Sequence, residues 1–323
     1  MNRATPKVTV VGSLNIDLVC HAIRRPDKGE TIIGDAFDIF TGGKGFNQAT
    51  AAARLGAEVS LVGSIGTGPF GDLLRTAIKK EDINSRFIIR RTDIGTGIAT
   101  IVVEPDGDNS IIVVPRANMA LTTADIDAAT DCIADADVLL LQLETPIAAS
   151  EHAAAIAKHH GATVVLNPAP AQPLPNSLLG YVDILTPNQS ETELLAGIPI
   201  NSHDDARRAA ETLRERMADT ENSAVVLTLG EQGTLMLTET TSELIPALPV
   251  QPVDTTGAGD AFCGALATAL ASGENLQSAV KFANAAGAAA VTVIGATPSM
   301  PTRTKIERLM STTHADLTEP QGK

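Results

Sequence analysis

The stretch Asp254-Thr255-Thr256-Gly257-Ala258-Gly259-Asp260 runs from an extended, proline-spaced segment (Leu244 to Val253) straight into an alanine-rich helical pattern that begins near Ala261. Gly257, Ala258 and Gly259 therefore sit at a helix N-terminus, where backbone N–H groups have no partner inside the helix. Free amides and the positive end of the helix dipole point the same way, so this turn can receive an anion. Glycine at both ends keeps Cβ atoms clear and permits unusual backbone angles. A carboxylate at the end of such a nest, Asp260, would repel a resting phosphate. It makes chemical sense as a base that takes a proton from a hydroxyl attacking a phosphoryl group held at the amides.

A second glycine cluster, Thr41-Gly42-Gly43-Lys44-Gly45-Phe46-Asn47-Gln48-Ala49, opens another helix that runs to about Leu55. Lys44 and Asn47 lie near its first turn. Upstream, Gly12-Ser13-Leu14-Asn15-Ile16-Asp17 follows the apolar run Val8 to Val11, the first strand. Asn15 and Asp17 share one face if the strand continues. Asn, Asp, Asn and Lys together offer the mixed donors and acceptors that a polyhydroxylated ligand requires. Further on, strand patterns alternate with helical patterns, which predicts βαβ units and a mostly parallel sheet. Residues 17–40 and 97–115 break the alternation, with strand-like runs and no helix between them. Glu144 ends the apolar run Val138 to Leu143 and should project from the carboxyl end of a strand, where open α/β sheets place ligands.

These motifs are similar to those of the ribokinase family of sugar kinases, the PfkB group. The resemblance rests on G-G-K-G-F-N-Q-A at Gly42 to Ala49 and D-T-T-G-A-G-D-A-F at Asp254 to Phe262. Between them, in the family's order, stand Leu141 to Glu144, Asn167 to Ala171, Thr186 to Glu191 and Thr228 to Gly233, so that it covers Val8 to about Leu309. It implies a three-layer αβα sandwich (residues 1–16, 41–96 and 116–312) with a small β lid (17–40 and 97–115), followed by a loose tail over 313–323. The implied reaction is transfer of the γ-phosphoryl group of ATP to the primary hydroxyl of a pentose, most simply D-ribose. By the same resemblance Asp260 is the base, and Gly257, Ala258 and Gly259 form the anion hole. Asn15, Asp17, Gly42, Gly43, Lys44, Asn47 and Glu144 match sugar-binding positions.

The turn Thr228-Leu229-Gly230-Glu231-Gln232-Gly233 resembles the family's nucleotide loop, Gly259 also falls at the phosphates, and Asn284 falls beside the adenine. Asn188 and Glu191 match an N-x-x-E motif of the phosphate and magnesium shell; magnesium keeps most of its waters, so one acid suffices. Asp254 and Thr256, carbonyls around Ala290, Val293 and Gly295, and the Ser299 hydroxyl match a potassium site. The implied cofactors are thus magnesium with ATP and an activating potassium ion, and the lid implies a homodimer, because an exposed sheet with an apolar face calls for a partner.

Other readings fare worse. Gly66-Thr67-Gly68-Pro69-Phe70-Gly71 fits a dinucleotide fingerprint, but the acids that follow, Glu81 and Asp82, end the helix and not the next strand. Pro69 reads better as a first helical residue. A net charge of −14 argues against nucleic acid as partner. Cys20, Cys132 and Cys263 are few and unpatterned, which predicts free thiols in a reducing cytoplasm. The chain shows neither a signal-peptide pattern nor an apolar run long enough to span a membrane. Two residues depart from the family's pattern: Phe46 stands where alanine is usual, and Arg116 stands in a segment commonly containing glycine. An aromatic at 46 either packs under the lid or lines the pocket, where it would suit a nucleoside.

Overall fold

Along the first strand, Val8 and Val10 enter one apolar cluster and Val11 the other, the period-two alternation of a sheet buried on both faces. The computed structural model describes residues 5–105, 108–217 and 223–318. In chain order the strands are β1 (Lys7–Val11), β2 (Asn15–His21), β3 (Ala36–Gly42), β4 (Glu58–Gly66), β5 (Ile88–Arg91), β6 (Gly97–Val103), β7 (Asn109–Val114), β8 (Val138–Leu141), β9 (Thr163–Leu166), β10 (Ile184–Leu185), β11 (Ala224–Thr228), β12 (Thr234–Leu237) and β13 (Ser242–Ile245). The helices are α1 (Lys44–Arg54), α2 (Pro69–Lys80), α3 (Thr123–Ala128), α4 (Thr130–Ala134), α5 (Ile147–His159), α6 (Asn176–Leu179), α7 (Gln189–Ala196), α8 (His203–Arg214), α9 (Ala258–Ala271), α10 (Leu276–Ala290), α11 (Ala296–Ser299) and α12 (Arg303–Thr318).

Nine strands form the main sheet, in the order β13-β12-β11-β10-β9-β8-β1-β4-β5. It is parallel from β5 to β11 and antiparallel at β12 and β13. One apolar layer joins it to α1, α2, α9, α10 and α12 through residues such as Phe46, Leu74, Leu266, Val280 and Ile306. The opposite layer joins it to α3, α4, α5, α6 and α8 through Ile126, Ile133, Ala153, Leu178 and Ala209. The chain leaves β1 toward β4 and β5 on one side, and returns at β8 to build outward on the other. The strand order therefore reverses at β1, and the crevice at the carboxyl ends of β1 and β8 is where such a sheet receives ligands.

A separate four-stranded sheet, β3-β2-β6-β7, contains the two segments without helices. Ile16 on β2 reaches the main core, whereas Phe37, Ile39, Ile111 and Ile112 are exposed on this sheet. Pro69 is the first residue of α2, as its fixed φ favours. Phe46 is fully buried in the core, so its ring fills packing space and is not offered to a ligand. The segment expected as a loose tail differs in part: α12 continues through Thr318, and residues 319–323 lie outside the described residues. No helix among the described residues is long and apolar enough to cross a membrane. All three cysteines are free, and burial pushes the Cys263 thiol up to about 12.

Candidate active site

Asp260 lies in the first turn of α9 and is 6% exposed. Its neighbour Gly257 caps the helix at φ 79, a left-handed backbone that an L side chain adopts at a cost of about 1–2 kcal/mol. In this turn the Ala258 N–H already bonds the Thr255 carbonyl at 3.2 Å, while Gly257 and Gly259 stand at the helix N-terminus, where backbone N–H groups lack intrahelical partners. Both Asp260 oxygens accept hydrogen bonds from α1: Asn47 Nδ2 donates to Oδ2 at 2.9 Å, and Gln48 Nε2 donates to Oδ1 at 2.9 Å. A cavity of about 220 Å³ opens beside them, lined by Asp260, Gly257, Gly259, Lys44, Asn188, Glu191 and Thr228 among others. Residues from the carboxyl ends of several strands and from three helix N-termini thus converge on one space.

Lys44 supplies the positive charge. Burial would lower its ammonium, but Asp260, Glu144 and Glu191 outweigh that effect and hold it above the ordinary lysine value. At the N-terminus of α1, Glu144 Oε2 accepts the Lys44 backbone N–H at 3.2 Å and a hydrogen bond from Ser13 Oγ. Glu144 thereby caps a helix whose own N-cap, Gly43, offers no side chain. Asn15 and Asp17 lie on β2, with Gly42 directly opposite Asn15 across the β2–β3 ladder. The Asp17 carboxyl is pushed up to about 7, first by burial and then by the negative charges of Glu144 and Asp260. Asn15 Oδ1 accepts from Asn118 Nδ2 at 2.7 Å, which leaves the Asn15 amide group as its donor toward a ligand.

On the other flank, Asn188 is the N-cap of α7 and forms a reciprocal box with Glu191: each backbone N–H bonds to the other's side chain at 2.8 Å. Burial raises the Glu191 carboxyl, against the opposing Asn188 N–H and Lys44 charge. Thr228 pairs with Asn188 across a parallel bridge, and Gly230 to Gln232 form an exposed turn above it. Leu229 is a core residue, so only its backbone faces that turn. Asp254 accepts N–H bonds from Thr256 at 2.9 Å and from Gly295 at 2.7 Å, one on each oxygen. It ties the glycine turn of α9 to the loop that carries Val293 and Gly295, with Ala290 and Ser299 at its ends.

Two expected ligand residues turn out to be engaged inside the protein. Asn47 donates to Asp260 and its Oδ1 accepts from Thr297 Oγ1 at 2.7 Å, so both ends of the amide serve the carboxylate and its surroundings. Asn284 accepts from Thr234 Oγ1 at 2.6 Å and donates to the carbonyls of Ile245 and Pro246, pinning α10 to the β12–β13 edge. Conversely, Ser13, Gln48, Asn118, Asn167 and Thr297 were not singled out as site residues. Ser13, Gln48 and Asn167 stand inside or beside the glycine motifs and strand ends, which is the only local sign they give. Arg116 has φ 45, the backbone region that suits the glycine common there in the family, and its guanidinium lies over Gly95.

A doubly wound sheet, a glycine-turn helix N-terminus and a buried carboxylate beside a lysine define the site as that of a phosphotransferase. The chain belongs to the pfkB family of carbohydrate kinases, whose family profile matches residues 5–303. It is 40% identical to a ribokinase of Haemophilus influenzae over 92% of this chain and 95% of that protein. It is 34% identical to a deoxyribokinase of Salmonella typhi over 94% of this chain and 98% of that one. Among solved structures, Arabidopsis thaliana ribokinase complexed with ribose and ATP superposes with a TM-score of 0.88, at 32% identity over 95% of this chain and 99% of that chain.

Proposed function

We propose that the chain transfers the γ-phosphoryl group of ATP to O5 of D-ribose, giving D-ribose 5-phosphate and ADP. The observation that carries this reading is the Asp260 carboxylate, buried, held by two amides and set at the rim of the Gly257–Gly259 turn beside Lys44. The O5 proton passes to Asp260 as O5 bonds to the γ-phosphorus, and the bond to the bridging oxygen of ADP breaks. Charge on the γ-oxygens is held by the amides of Gly257, Ala258 and Gly259 and by Lys44, so that positioning and electrostatics supply most of the catalysis.

Asn15, Asp17 and Glu144 orient the sugar hydroxyls, with Gly42 and Gly43 allowing the sugar to approach the backbone. Asn47 acts there through Asp260. The turn Thr228 to Gly233 and Asn188 take the nucleotide. Asn284 supports that flank from behind through the β12–β13 edge. Glu191, a single oxygen donor next to the phosphate cavity, fits the water-rich shell of magnesium. Magnesium would supply charge neutralisation at the β- and γ-phosphates. The Asp254 carboxylate, already immobilised by two N–H groups, fits a potassium site with Thr256, Ser299 and the carbonyls of Ala290, Val293 and Gly295. A monovalent cation there would brace the turn that precedes the anion hole. The lid's exposed apolar face supports a homodimer, and the free thiols suit a cytoplasmic protein.

The test is mass spectrometry of products from purified protein, magnesium, potassium and ATP with ribose, 2-deoxyribose, other pentoses, hexoses and nucleosides. A gain of one phosphate on ribose is expected; a gain on another member with ribose untouched overturns the substrate but keeps the mechanism. Asp260→Asn should reduce turnover by at least about 10²–10⁴ with sugar binding retained. Normal turnover in that variant would sink the assignment of the base. Phe46 removes the main argument for a nucleoside, since its ring is inside the core.

A further inference from the structure

The base stands at the end of a chain of buried side-chain amides that the phosphoryl-transfer chemistry does not by itself require. Gln48, 0% exposed, donates from Nε2 to Asp260 Oδ1 at 2.9 Å and, at 3.2 Å, to Asn167 Oδ1. Its Oε1 accepts from Gln142 Nε2 at 2.6 Å, and Gln142 is also fully buried at the end of β8. Asn167 in turn donates to the Thr186 carbonyl at 2.9 Å. The direction of this chain follows from charge. An ionised carboxylate only accepts, so Gln48 must turn its amide nitrogen to Asp260 and its oxygen away. That oxygen then requires a donor, which forces the nitrogen of Gln142 toward it.

The far end is left incomplete: Gln142 Oε1 is buried with no hydrogen-bond partner among the described residues. An orphaned buried acceptor is uncommon and calls for a reason. Flipping Gln142 would set two oxygens against each other at Gln48. The chain therefore favours the donor pointed at Asp260 over satisfaction of its own terminus.

We infer that Gln48, oriented by Gln142, is a positioning residue that fixes the plane of the Asp260 carboxylate for proton abstraction, an inference that rests on Asp260 being the base. With Asn47 on Oδ2 and Gln48 on Oδ1, the carboxylate cannot rotate, and each oxygen keeps a lone pair for the sugar hydroxyl. The titratable groups whose charge acts on Asp260 are Asp17 on β2, Lys44 on α1, Glu191 on α7 and Cys263 on α9, with Glu144 acting on Lys44 and Asp17. All of these persist in a Gln48 variant, so a difference from wild type isolates the amide.

The experiment compares wild type with Gln48→Leu, Gln48→Glu and Gln142→Leu in kcat, in KM for ribose and in stability to urea. Gln48→Leu should lower kcat by about 10- to 100-fold with KM for ribose changed less than about threefold. Gln48→Glu should lower kcat at least as much, because an ionised carboxylate cannot donate to Asp260 Oδ1. Gln142→Leu, which also removes the orphaned acceptor, should keep the fold's stability while lowering kcat in the same sense as Gln48→Leu. If wild type turns over and kcat is unchanged in all three variants, or falls only in step with stability, the positioning role is wrong. If wild type phosphorylates no sugar, the underlying reading has failed instead. The inference is then read from a crystal structure of Gln48→Leu, in which the Asp260 carboxylate should leave its wild-type plane; an unchanged plane overturns the proposal.

Discussion

Asp17 sits among three sources of the same strain: its own burial, the Glu144 charge and the Asp260 charge together hold its carboxyl at about 7. In the unfolded chain an aspartate ionises near 3.9. The folded protein therefore holds a proton that the unfolded chain has lost, so the stabilisation is complete below about pH 4 and disappears as pH rises through about 7. Asp17→Asn lacks this dependence. Calorimetry should find the variant a few degrees more stable than wild type at pH 8, with the gap closing toward pH 4, an effect on the order of 2 kcal/mol after allowance for partial solvent screening. A gap that does not change with pH would refute it. In wild type, the KM for ribose should rise as pH falls through about 7, because a protonated carboxyl accepts fewer hydrogen bonds from the sugar that Asp17 is proposed to orient. At this scale the sequence was legible for Asp17, Glu144 and Asp260, each marked by a motif. It was not legible for Gln48, whose partner lies 212 residues away.

Between elements, the decisive contact is that of α1 with α9. Gly264 on α9 faces α1 so closely that a Cβ there would lie 2.6 Å from Ala51 Cβ and 2.7 Å from the Gln48 carbonyl. The absence of a side chain at this position lets α1 approach and carry Asn47 and Gln48 to Asp260. Gly264→Ala should cost about 1–3 kcal/mol in urea unfolding through overpacking. It should also lower kcat at least about tenfold, since a shift near 1 Å in catalytic geometry is severe. Full activity in a stable variant would show that α1 is not held by this contact. The second tie is α11: Thr297 donates to Asn47 at 2.7 Å, and Arg54 donates to the Met300 carbonyl at 2.7 Å, so the loop after α10 is braced against α1 as well. The helices themselves were readable from glycine turns and apolar spacing. Their mutual distance was not, because a glycine inside an alanine-rich helix carries no sign of what approaches it.

For the whole molecule, the four-stranded sheet leaves Ile111, Ile112, Val113 and Val114 exposed along β7, with Phe37 and Ile39 on β3. A run of apolar side chains this long is unusual for the surface of a monomer, and it is the feature on which the proposed dimer rests. Light scattering should find a dimer for the wild type. Ile112→Glu, at a residue 68% exposed in the single chain, should shift it to monomer with little loss of fold. A monomeric wild type, or a dimer unaffected by the charge, would exclude this face. The net charge of −14 is compatible with such an interface because its centre is apolar, and charge repulsion acts mainly at the rim.

The sequence by itself determined the α/β class, the two glycine turns, the strand-end acids and the helix-free segments of the small sheet, since period, turn chemistry and helix caps are short-range properties written in neighbouring residues. The tertiary structure alone decided who partners whom. It placed Phe46 in the core, turned Asn47 and Gln48 onto Asp260, and engaged Asn284 with Thr234. It also extended α12 through Thr318. The physical reason is that a buried amide takes its orientation from the acceptor it meets after folding, and that acceptor comes from a distant segment brought near by the packing of α1 and α9 over the sheet.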